Sequence, residues 1–148
     1  MNLQFIKIEE SNKEILSKIE LRPNQIGLAD CPLEAYELAK KFTYAYPTAI
    51  FWENAAIAFL IYEALNEMQT HFLVWDFVVD KAFQGQGYGR EIMMQLMQKL
   101  RIEYHAEKIE LAYEPSNHIA RNLYRSLGFL ESGKINDDGE IEMELLLH

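Results

Sequence analysis

The apolar positions of the chain fall into short runs broken by polar turn residues, with one longer stretch at helical spacing. Leu3–Ile8 puts Leu3 and Phe5 on one face of an extended chain and Ile6 and Ile8 on the other, which predicts a first strand. Ser11, with Glu14 three residues on, makes a capping box for a helix over about Asn12–Leu21, stopped by Pro23. Asp30 or Cys31 before Pro32 predicts the start of a second helix reaching about Phe42. Thr48–Trp52 and Ala55–Ala64 flank Glu53-Asn54 and read as a hairpin. His71–Asp80 is a further apolar run. In Arg90–Tyr104, residues Ile92, Met93, Leu96, Met97 and Leu100 share one face of an amphipathic helix. Lys108–Tyr113 predicts a strand. Pro115-Ser116-Asn117 opens a helix to about Leu127, and Gly128 closes it. Phe129–Lys134 and Glu140–Leu147 flank the turn Asn136–Gly139. The predicted order is β-α-α-β-β-β-α-β-α-β-β, a mixed α/β chain with hairpins on either side of a strand–helix–strand unit.

Composition narrows the class. The 148 residues suit one domain, residues 1–148, and 49% apolar content with eighteen aromatics argues against disorder. The longest apolar run, Ala55–Tyr62, is too short to span a bilayer, so no membrane partner is expected. The N-terminus has no signal pattern, and one cysteine, Cys31, cannot form an internal disulfide. These features lead to an expectation of a cytoplasmic protein. A formal net charge of −9 disfavours nucleic acid as a partner and leaves cationic small molecules open.

Gln84-Gly85-Gln86-Gly87-Tyr88-Gly89 lies between a predicted strand and a predicted helix. Glycines allow a sharp turn and close backbone approach, and the first helical N–H groups carry partial positive charge. Together they suit a pyrophosphate, although a plain turn explains the same residues. Arg90-Glu91 after Gly89 is not the Lys-Ser/Thr of a P-loop. The position after the fourth strand is not that of a Rossmann fingerprint.

Val78–Met97 (VVDKAFQGQGYGREIMMQLM) resembles motif A of the GNAT family of N-acetyltransferases, with Gln84, Gly87 and Gly89 on the signature Arg/Gln-x-x-Gly-x-Gly/Ala. Asn117–Phe129 (NHIARNLYRSLGF) resembles the family's motif B, one strand later. The resemblance implies the GNAT fold, a mixed, mostly antiparallel sheet of about seven strands flanked by about four helices. It also implies acetyl-CoA as acyl donor, no metal, and a homodimer. Carried over by residue, Val78 and Val79 would pair through their main chains with the pantetheine arm, opposite the splayed strand Glu110–Tyr113. The N–H groups of Gln84, Gly85, Gln86, Gly87, Tyr88, Gly89 and Arg90 would hold the pyrophosphate. Asn117 would contact the cofactor, and Tyr124 would lie near the thioester sulfur.

The chemistry asks for three things. A backbone N–H near Val78 would stabilise the oxyanion. A tyrosine hydroxyl at Tyr124 would protonate the leaving thiolate. On helical spacing alone, with Ala120 and Leu127, Tyr124 equally fits a core tyrosine; the motif assigns it the acid's role. An alkyl ammonium, with a pKa of about 10, must also lose a proton. Glu63 and Asp76 are candidates to accept it or to bind the amine, and both also fit solvated strand carboxylates.

Pro23–Phe51 is further similar to bacterial spermine/spermidine acetyltransferases, with Asn24, Gln25 and Asp30 on shared positions. That similarity implies a small cationic amine as substrate, with Asp30 either binding an ammonium or capping the helix before Pro32. Glu63 stands where a glycine is expected and Asp76 where a basic residue occurs, so both add negative charge. Aminoglycosides, peptide α-amines and a non-catalytic acyl-CoA-binding regulatory module are the competing readings; acetylation of a charged tRNA suits a basic surface better. Cys31 reads as a buried small residue. The four histidines lack metal-ligand spacing, and Met93, Met94 and Met97 read as helix packing.

Overall fold

A computed structural model describes residues 1–21 and 31–147. The alternation seen in the sequence becomes a seven-stranded sheet in the order β1-β2-β3-β4-β5-β7-β6. The strands are β1 (Leu3–Lys7), β2 (Ala45–Trp52), β3 (Ala55–Ala64), β4 (His71–Val79), β5 (Lys108–Tyr113), β6 (Leu130–Ile135) and β7 (Ile141–Leu146). β4 and β5 pair in parallel, and the other neighbouring strands of the described sheet pair antiparallel. The helices are α1 (Pro32–Ala39), α2 (Tyr88–Tyr104) and α3 (His118–Ser126), with a 3₁₀ helix at Lys13–Lys18. The sheet is mixed, as the GNAT resemblance implies.

Burial of β3 explains its continuous apolar sequence. Leu60 and Tyr62 face one side and join the core of α2, where Ile92, Met93, Leu96 and Leu100 are fully buried. Phe59 and Ile61 face the other side, against Leu16 of the 3₁₀ helix and Ala35, Tyr36 and Ala39 of α1. A strand covered on both faces needs no polar alternation. Each fully buried Leu, Ile or Phe contributes roughly 1.5–3 kcal/mol by leaving water. No described helix is long and apolar enough to cross a membrane.

Three local expectations need correction. The first helix is a short 3₁₀ turn whose N-cap is Asn12, not Ser11, and no capping box forms. Asn12 instead accepts from Glu9 N at 2.7 Å and donates to Lys7 O at 3.0 Å, tying the segment back to β1. The second helix stops at Ala39, short of Phe42, and its N-cap, Cys31, makes no side-chain cap bond. Cys31 is exposed, because Pro32 takes the buried position at the start of α1.

Candidate active site

β4 and β5 are in register only at His71↔Lys108, Phe72↔Ile109 and Leu73↔Glu110. Beyond Leu73 the two strands no longer pair, while β5 keeps its register with β7 as far as Tyr113↔Ile141. A bulge drives the divergence. Opposite Phe59 and Ile61, β4 carries one extra residue, and Asp76 sits in the left-handed region at φ 53°. Bulges bend and twist the strand that holds them. Asp80 N donates to Ile57 O at 2.7 Å, so antiparallel alternation sets Val78 in hydrogen-bonding register with Phe59. It turns the main chain of Val79 toward the gap. The Val79 carbonyl there accepts Gln84 Nε2 at 2.7 Å. Of the two valines expected to offer main-chain groups, Val79 therefore faces the gap and Val78 faces β3.

The glycine loop is anchored at both ends. Asp80, 7% exposed, accepts Glu20 N at 2.7 Å and Ala82 N at 3.0 Å. Lys81 N donates to Glu20 O at 2.9 Å. Gly85 and Gly87 have φ of 75° and 86°, and a Cβ at either would meet nothing within 4 Å. Glycine is needed there for conformation, and the outer side of the loop stays open. Gly87 caps the 17-residue α2 without a side chain, so the first N–H groups of that helix lack a side-chain acceptor. Arg90 in its first turn donates to Ser126 Oγ at 2.6 Å, linking α2 to the end of α3. The motif pairs these two helices in sequence, and this contact joins them in space.

Asn117 is the N-cap of α3 and accepts Ala120 N at 3.1 Å. Gly128, with φ 100°, follows the C-cap, as the sequence predicts. The short helix thus fixed aims Tyr124 between two cavities. The larger, about 360 Å³, runs along Val79, Gln84, Gly85, Gly87, Gly89 and Arg90. The smaller, about 140 Å³, is lined by Trp75, Asp76, Val78, Tyr113, Glu114 and Glu140 among others. Phe77, Asn117, Ala120 and Tyr124 line both, so the two cavities adjoin at the gap in the sheet and are treated together as one cleft. Tyr124 is 8% exposed, and its ring meets Phe129 at 6.0 Å. Burial, reinforced by the negative charge of Glu140, pushes its hydroxyl up to about 12.

The cleft separates charge. Its loop end holds Arg90 and the α2 N-terminus; its other end holds Asp76, Glu114 and Glu140 and, among the described residues, no lysine or arginine. Glu114 and Glu140 escape sequence reasoning, since 23 acids are spread along the chain and only the fold selects these. The other expected residues are dispersed. The Tyr88 side chain is buried against Trp52 and Phe83 at 5.7 Å, leaving only its main chain to the loop. Gln86 is exposed and donates to Ala82 O. Glu63 lines neither cavity. Burial raises its carboxyl above the usual range, opposed by the nearby indole N–H of Trp75, whose Nε1 is buried without a well-formed hydrogen bond. Asp30 lies outside the described residues, as do Asn24 and Gln25. Among the described residues, no group of His, Cys, Asp and Glu side chains could hold a metal ion.

The charge separation along the cleft suits an extended acyl thioester bearing a pyrophosphate. The anion would meet the uncapped helix, the arm would meet the unpaired edge of β4, and the acyl end would reach Tyr124. The Acetyltransferase (GNAT) family model matches residues 12–129, and the chain belongs to that family. It is therefore an acyltransferase, with acetyl-CoA as acyl donor. The chain is 26% identical over 145 residues to a probable spermine N(1)-acetyltransferase of Bacillus subtilis subsp. natto, covering 95% of each. Its fold matches spermidine N-acetyltransferase from Vibrio cholerae, solved with CoA and spermine, at a TM-score of 0.76. The identity there is 17%, with 97% of this chain and 95% of that one covered. It also matches aminoglycoside acetyltransferase AAC(6')-Ib, solved with coenzyme A, at a TM-score of 0.79 and 15% identity, covering 98% and 95%.

Proposed function

We propose that the protein transfers acetyl to a primary amine of a small polycation, with polyamines such as spermine and spermidine as the substrate class. One observation carries the reading: among the described residues, three carboxylates from separate parts of the chain line the cavity beside Tyr124, with no basic residue in that lining. Asp76, Glu114 and Glu140 do not converge into a group suited to a metal ion. Spread along a cleft, they suit a flexible chain with several ammonium groups. Trp75, Phe77 and Tyr113 add the apolar surface that a polyamine's methylene segments need. The similarity to a probable spermine acetyltransferase supports the same class.

When bound, acetyl-CoA supplies the activated acyl carbon. The α2 N-terminus and Arg90 bind and orient its phosphates, and the Val79 main chain aligns its arm. Tyr124 keeps its proton at neutral pH and holds it where a thiolate would leave. Fixing both reactants in one cleft removes much of the entropic barrier. Asp76 belongs to the amine site. Asp30 and Glu63 are assigned supporting roles in amine binding, Glu63 through its neighbour Trp75. A cytoplasmic location and a homodimeric state belong to the same reading, the second checked by sedimentation.

The test is release of free CoA from acetyl-CoA with spermine, spermidine, aminoglycosides and short peptides as acceptors. Fastest turnover on the polyamines is expected. Tight acetyl-CoA binding without turnover on any amine would overturn the proposal and favour a non-catalytic acyl-CoA-binding module.

A further inference from the structure

We infer that Glu140 receives the proton of the attacking ammonium and relays it to Tyr124. The inference rests on the amine-transfer reading above and deepens it. Glu140 stands at the end of the β6–β7 turn and lines the cavity that Tyr124 enters. Its position is fixed by one residue, Asn136, at both main chain and side chain. Asn136 Oδ1 accepts Glu140 N at 2.9 Å, and Asn136 N donates to Glu140 O at 2.9 Å. Asn136 Nδ2 donates to Glu140 Oε1 at 3.0 Å, and Glu140 itself lines the cavity. Asn136 Oδ1 also accepts Asp138 N at 3.0 Å, so the turn itself is braced. A half-buried carboxylate held in this way is preorganised.

The carboxylates are not equivalent. Asp76 from β4, Glu114 from the exit of β5, and Tyr113 from β5 share the cavity with Glu140 and Tyr124. Among the described residues, Glu140 is the charge that raises the pKa of the Tyr124 hydroxyl. The proton sequence then closes. The ammonium gives one proton to the Glu140 carboxylate, and the nitrogen lone pair bonds to the acyl carbon as the carbon–sulfur bond breaks. The sulfur takes the Tyr124 proton, and protonated Glu140 restores it to the tyrosinate. The second nitrogen proton leaves to water as the amide forms. Both residues return to their starting states.

The test compares wild type with Glu140→Gln, which preserves shape and the contact with Asn136. With spermine at neutral pH, kcat of the variant should fall by about 10²-fold. Its rate should then climb with pH as the free-amine fraction grows, while the wild-type profile is flat over that range. Acetyl-CoA affinity by calorimetry should change less than about threefold, which also reports folding. Without any acyl donor, tyrosinate absorbance should show Tyr124 ionising at lower pH in Glu140→Gln, read as the difference from Glu140→Gln/Tyr124→Phe. Asp76→Asn and Glu114→Gln should raise the KM for spermine and keep the wild-type profile. A wild-type rate and profile in Glu140→Gln, or transfer of the altered profile to Asp76→Asn or Glu114→Gln, would overturn the assignment. Inactive wild type on every amine would instead bring down the amine-transfer reading and Glu140's role with it.

Discussion

Tyr124→Phe isolates one hydroxyl. The ring keeps its place against Phe129, and among the described residues no hydrogen bond to the hydroxyl is lost, so stability near neutral pH should change by less than about 0.5 kcal/mol. The shift of its pKa from 10.0 to about 12 disfavours the tyrosinate by about 3 kcal/mol. At pH 8 only about one molecule in ten thousand is ionised, so the hydroxyl keeps its proton. Removing a positioned general acid costs roughly 10²–10⁴ in the chemical step. The assay is a single-turnover measurement by rapid quench with saturating spermine, so that product release does not mask the loss. Acetyl-CoA affinity should be unchanged within about threefold. Equal single-turnover rates in mutant and wild type would refute the acid role. The same shift predicts a pH dependence of stability. The unfolded chain ionises this tyrosine near pH 10 and the folded chain only near 12. The stability is therefore intact below pH 10 and falls by up to about 3 kcal/mol as pH rises toward 12. Wild type should lose stability more steeply than Tyr124→Phe across that window, as followed by denaturant unfolding.

Gly87→Glu forces an L-residue to φ 86°, at roughly 1–2 kcal/mol, and places a carboxylate at the proposed anion site. Acetyl-CoA affinity by calorimetry should drop at least about tenfold, and unchanged binding would remove the loop from the site. Asn117→Ala deletes the α3 cap at Ala120 N; a loss of about 1 kcal/mol and a lowering of Tm by about 2–4 °C are expected in a thermal melt. Asp80→Ala leaves the N–H groups of Glu20 and Ala82 without their acceptor. Calorimetric unfolding should show a loss of about 1–3 kcal/mol, with weaker acetyl-CoA binding as the loop loosens.

The parts legible in the sequence are those where local chemistry and tertiary environment agree. Ile92, Met93, Leu96 and Leu100 carry a helical period because a sheet covers one face of α2. Asn117 and Gly128 mark the ends of α3 because caps are local devices. Ser11 misled because Asn12, one residue on, has the better geometry to reach back to Lys7 and Glu9. The bulge at Asp76 is hidden because Phe77, Val78 and Val79 are apolar on both faces, so a slip of one residue leaves no break in pattern. That slip decides which valine's main chain faces the cleft. Glu114 and Glu140 become site residues only when a strand exit and a hairpin turn close on the same cavity, a long-range coincidence that no spacing records. The buried anchor Asp80 sits next to a loop whose glycines draw the eye, yet its partner Glu20 lies sixty positions earlier.

Three register pairs join β4 to β5, whereas β5 and β7 run together for their full six residues. Mechanically the sheet is two antiparallel blocks, β1 to β4 and β5-β7-β6, fastened at one end like a partly closed zip. A ligand arm lying along the Val79 edge would act as the missing teeth, carrying hydrogen bonds from one block toward the other. Occupancy of the cleft then stiffens the whole sheet as well as filling a pocket. The amides of Val74–Val79 and Leu111–Tyr113 should exchange with solvent through a low-energy opening in the free protein, and through a much rarer one when the seam is closed.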